Sequence, residues 1–147
     1  MNSLHRFLWF ALALSFVPSL AWADEPSLAT WTERRVREAL VVPLAKQEAR
    51  VSPFSRGRPP PRERRVRALQ TTASLDARDR AFVPFAIDVR FGTQEWQTED
   101  VTGCVYKKTG EIFVKIGDAY RPSAFLLGKD TGPVAGVCVA APPKPSA

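Results

Sequence analysis

Val83-Pro84-Phe85-Ala86-Ile87-Asp88-Val89-Arg90-Phe91 puts Val83, Phe85, Ile87, Val89 and Phe91 on one face and Ala86, Asp88 and Arg90 on the other. Apolar side chains recurring with a period of two mark a strand with one buried face, and this stretch decides the fold class. Pro84 has no N–H for a ladder, which predicts an edge position or a bulge at that point. Upstream, Arg65–Thr72 is a second strand candidate. Leu75-Asp76-Ala77-Arg78-Asp79 lies between the two and carries turn-forming acids, so the pair reads as a long hairpin.

Downstream, Lys108-Thr109-Gly110 suits a three-residue loop with glycine in the left-handed position. That loop sets Lys107 opposite Glu111, Tyr106 opposite Ile112 and Cys104 opposite Val114, with Val105 and Phe113 on the other face. Gly117-Asp118 reads as a turn, Pro122–Leu127 as a helical turn closed by Gly128, and Val137–Ala140 as a final strand carrying Cys138. Residues 142–147, rich in proline, read as a disordered tail. Two cysteines in a chain bound for an oxidising compartment predict a Cys104–Cys138 disulfide. Without Cys-x-x-Cys spacing or an activating histidine, the bond reads as structural rather than redox-active.

The region before the β part has a different character. Arg6, the apolar run Phe7–Leu20 and Ala21-Trp22-Ala23 describe a signal peptide over residues 1–23, cut after Ala23. The run is too short to span a bilayer, so no transmembrane segment is expected after its removal. Removing 23 of 147 residues leaves 124, without histidine, methionine or asparagine. Residues 24–50 read as a helical segment: Thr30-Trp31-Thr32-Glu33 fits a capping box, and Val36, Leu40 and Leu44 form one apolar stripe. The stripe suits packing on the β part, with a membrane or partner surface as the alternative use. Pro43 predicts a kink or a restart. Pro53 and Pro59-Pro60-Pro61 mark residues 51–62 as a Pro/Arg-rich, semi-rigid linker to a β-rich domain over residues 63–141. The expected fold is α+β: a mainly antiparallel β domain with one disulfide, preceded by an amphipathic helix and that linker.

Of the formal net charge of +6, the excess sits early: Asp24–Arg67 holds 11 basic and 6 acidic residues, whereas Ala68–Ala147 holds nine of each. Arg56, Arg58, Arg62, Arg64, Arg65 and Arg67 are opposed in that stretch only by Glu63. Guanidinium forks grip phosphate and carboxylate, so the run is a candidate anion site for a polymer, a lipid headgroup or an acidic protein. A solvated strand edge kept from mispairing explains the same charges. Nucleic acid is disfavoured, because export removes the chain from it and no aromatics interleave the run. Trp96, Phe113 and Tyr120 are the aromatics to inspect on the surface.

Catalytic signatures are missing. With no imidazole in the mature chain there is no histidine triad and no histidine-bearing metal site, and no calcium loop or phosphate-binding glycine loop is present. Asp88, Glu99, Asp100, Glu111 and Asp118 are scattered acids. No catalytic residue, metal or cofactor is assigned. The expectation is a secreted or periplasmic, soluble, basic binding protein that engages an anionic partner through its arginine segment. A structural or accessory subunit of a cell-envelope assembly, its helix packed on another protein, is the first alternative. A carboxylate-dependent hydrolase is the second, and would require two acids sharing a cleft.

Overall fold

A computed structural model describes residues 26–51 and 62–146. The expected signal peptide with its cleavage site, Arg56, Arg58 and most of the expected linker lie outside the described residues.

One continuous helix runs through α1 (Leu28–Val36), a π-helical turn (Arg37–Val41) and α2 (Val42–Val51). It starts before the expected capping box. Ser27, with φ −53° and ψ 153°, is the N-cap and its hydroxyl accepts from the Thr30 N–H at 3.2 Å. Thr32 instead donates to the Leu28 carbonyl at 2.8 Å, and Glu33 accepts from the Ala68 N–H of the sheet at 3.4 Å. Pro43 produces no restart. The Val42 N–H reaches back five residues to the Arg37 carbonyl, so a wide turn precedes the proline, where a regular ladder would meet its ring.

Six antiparallel strands follow: β1 (Arg62–Ala68), β2 (Ser74–Leu75), β3 (Ala81–Phe91), β4 (Gln97–Tyr106), β5 (Ile112–Ile116) and β6 (Ala119–Pro122). Their order is β1-β3-β4-β5-β6, with β2 also paired to β3. The architecture is α+β with one disulfide, as the period change from helix to strand requires. β1 begins three residues earlier than the Arg65–Thr72 reading and ends at Ala68, so Arg62, the last residue of the expected linker, is strand.

Pro84 lies within β3, an interior strand of the sheet, and not at an edge. The Leu69 N–H donates to the Pro84 carbonyl at 2.9 Å, so the missing Pro84 N–H points to the same side. There β1 has ended at Ala68 and β2 has not begun, so the proline sits at a local gap in the ladder.

The β4–β5 hairpin corrects the expected register. Gly110 is left-handed (φ +71°), but its N–H reaches the Tyr106 carbonyl and the Tyr106 N–H reaches the Glu111 carbonyl, giving a loop one residue longer. Cys104 therefore lies opposite Phe113, and Val105 opposite Ile112. A slip of one residue exchanges faces. Val105, Ile112 and Val114 join Val66, Phe85 and Ile87 beneath Val36 and Leu40 of the helix. Cys104, Tyr106 and Phe113 join Phe82 on the opposite face. Val137 and Cys138 cover that second cluster. Its covering segment is irregular and not the expected strand: Gly136 and Cys138 have φ of +74° and +61°, and a single bridge joins Tyr120 to Val134. The 3-10 turn Ser123–Leu127 is closed by left-handed Gly128, as expected.

Candidate functional site

Strand alternation divides the arginine run between the two faces of β1, and each face supplies carboxylates. On the helix side, Arg62 donates to Asp100 at 2.7 Å, and Arg64 grips Glu48 of α2 with both terminal nitrogens, at 2.5 and 3.2 Å. The Arg64 side chain is only 5% exposed, and its Nε, 3.8 Å from Asp100, makes no hydrogen bond. The Arg64 hydrogen bond, working against partial burial, holds Glu48 below the usual carboxylate range. On the outer face, Arg65 and Arg67 converge on buried Asp88 at 2.9 and 3.3 Å. The Arg67 hydrogen bond, opposed by burial and aided by Arg65, depresses the Asp88 carboxyl too. All four described arginines of the run thus meet acids that lie between 16 and 38 residues away in sequence.

The aromatic candidates separate. Trp96 is half-buried, with the guanidinium carbons of Arg65 and Arg90 at 4.6 and 4.7 Å from its ring centroid. Arg90 also bonds Glu63. Phe113 is not a surface residue: the flipped register buries it to 7% exposure, edge-on to Tyr106 at 5.7 Å. Tyr120 is half-buried against the same cluster. Its neighbour Arg121 stacks on Phe125, at 4.5 Å from the ring, rather than on Tyr120.

Asp76 does more than form a turn. Its Oδ1 accepts from the N–H groups of Arg78 and Arg80 at 2.9 and 3.0 Å, and its Oδ2 from the Tyr106 hydroxyl and Arg80 Nε at 2.8 and 2.9 Å. The same hydroxyl accepts from the Cys138 N–H at 3.2 Å, so one buried chain of bonds joins the β2–β3 turn to the disulfide. Burial disfavours the Asp76 anion, yet the Arg80 N–H, Tyr106, the Arg78 N–H and the Arg80 charge outweigh it and hold the carboxyl at about 2. Tyr106 is raised, first by burial and then by Asp76. Among the described residues the three shifted carboxyls move downward, whereas a general acid at neutral pH needs the opposite shift. Among the described residues no three metal-ligating side chains cluster.

A second basic group arises only on folding. Arg35 Nε donates to the Gly110 carbonyl at 3.1 Å, which seats the β4–β5 loop on α1 across 75 residues of sequence. Lys107 of that loop and Arg34 of the helix then line one cleft of about 530 Å³ together with Pro26, Leu28 and Trp31. Lys108 follows in the loop, and Arg34, Arg35, Lys107 and Lys108 are all exposed. No acid pairs with any of the four among the described residues. Sequence reasoning missed this group because its halves lie far apart. The only local signals were Lys107-Lys108 in a turn and Arg34-Arg35 on a helix.

Comparison of the chain with protein-family models, curated proteins and solved structures finds no match. The functional reading therefore rests on geometry.

Proposed function

We propose that this is a small exported binding protein that engages an anionic partner through the basic surface formed by α1 and the β4–β5 loop. One observation carries the reading. The four cations at the helix and loop have no acid partners among the described residues, whereas the more conspicuous run over positions 62–67 is matched by Glu48, Asp88 and Asp100. Four cations without an ion-pair partner among the described residues favour a local positive potential that attracts an anion and orients its approach. The disulfide fits an oxidising compartment, and no described helix is long and apolar enough to cross a membrane. In this reading the arginine strand is part of the scaffold, its four described arginines sharing three carboxylates.

The accessory-subunit alternative has less support, because the apolar stripe it assigned to another protein is already used. Val36 and Leu40 are fully buried against this chain's own sheet. The test is retention on immobilised long-chain polyphosphate at low and moderate salt. Retention that falls steeply with salt, and is lost when Lys107 and Lys108 become glutamine, is the expected result. Retention unchanged in that variant refutes the assignment.

A further inference from the structure

We infer that the cleft between α1 and the β4–β5 loop binds a small amphipathic anion: an apolar body bearing a phosphate or carboxylate. The inference rests on the basic surface proposed above and specifies its ligand. Pro26, Leu28 and the indole of Trp31 supply apolar wall, while Arg34 and Lys107 supply two cations, with no acid among the described lining residues. The cleft is open to solvent on one side, and its volume of about 530 Å³ lies within the range of small-molecule sites.

Two features hold the walls in place before any ligand arrives. Trp31 packs on the buried cluster around Val36, Leu40 and Val66, so its ring is anchored from below. The Arg35 bond to Gly110 fixes the loop, and hence the Lys107 backbone, against the helix. A preformed wall spares the ligand the cost of ordering it. The anionic head meets the Arg34 fork and the Lys107 ammonium, and the tail lies along Leu28 and the indole. An inorganic anion would use the cations and forgo the wall; a neutral detergent would do the reverse.

Calorimetric titration with n-octyl phosphate, inorganic phosphate and n-octyl glucoside, each below micelle-forming concentrations, separates these cases. Octyl phosphate is expected to bind at least about tenfold more tightly than either of the others. It should also shift the Trp31 indole N–H resonance and leave that of Trp96 in place. Arg34→Gln and Lys107→Gln are exposed changes that leave the fold intact, and each is expected to weaken octyl phosphate by about tenfold. The inference is overturned if octyl glucoside or inorganic phosphate binds as tightly as octyl phosphate, or if neither substitution matters. Polyphosphate retention distinguishes the two levels. Persisting retention without octyl phosphate binding sinks the cleft alone, and loss of both sinks the basic surface as well.

Discussion

Asp76→Asn removes one charge from a fully buried carboxylate and changes little else in volume. The carboxyl is held at about 2 against an ordinary 3.8, a gap worth roughly 2 kcal/mol of folding stability at neutral pH. The sign follows from a depressed acid: the contribution is complete above about pH 4 and disappears as pH falls through 2. The amide adds a second cost. Tyr106 and Arg80 donate to one oxygen and the Arg78 and Arg80 N–H groups to the other, so either orientation of the amide sets donor against donor. An unsatisfied buried donor costs about 1–3 kcal/mol, giving a total loss near 3–5 kcal/mol. Chemical denaturation followed by circular dichroism at pH 7, 5 and 2 measures this. The gap between wild type and variant should shrink by roughly 2 kcal/mol from pH 5 to pH 2. A variant within about 0.5 kcal/mol of wild type at pH 7, or a gap that does not change with pH, refutes the assignment of Asp76 as an ionised hub.

Other perturbations probe separate parts of the fold. Replacing Cys104 and Cys138 together by alanine opens a loop of sequence separation 34 and should cost roughly 3–4 kcal/mol in denaturant titration. Gly103→Ala would drive a Cβ into the Phe113 carbonyl of the neighbouring strand and to 3.0 Å from the Phe85 ring. A loss above about 2 kcal/mol is expected from its thermal transition. Leu40→Ala empties part of the helix–sheet core and should cost about 2–5 kcal/mol. A cost under about 1 kcal/mol would mean that the helix does not depend on the sheet.

The parts legible in the sequence were those set by local period or by elimination. The alternation of Val83, Phe85, Ile87 and Val89 marked the long interior strand β3, the left-handed need at Gly110 marked the hairpin, and two cysteines implied one bond. Errors came from quantities that local pattern does not contain. One extra loop residue before Gly110 moved Phe113 from the surface to the interior. Pro84 reads as an edge signal, but its donor side faces a gap formed by where two other strands stop and start. Charge pairing is likewise absent from local pattern. Arg62, Arg64, Arg65 and Arg67 are conspicuous because they are neighbours in sequence, while the acids that match them arrive from α2, β3 and β4. The unmatched cations are split between the helix and a distant loop, where neither half stands out.

The salt dependence of polyphosphate affinity, compared between wild type, the Lys107→Gln/Lys108→Gln pair and Arg65→Gln, tests most directly whether the folded chain presents its usable positive charge at the helix and loop. Replacing the two lysines should flatten the slope of log affinity against log salt and weaken binding at low salt, while Arg65→Gln, whose partner is Asp88, should leave both nearly unchanged. A slope that collapses with Arg65→Gln and survives loss of both lysines would return the anion site to the arginine strand.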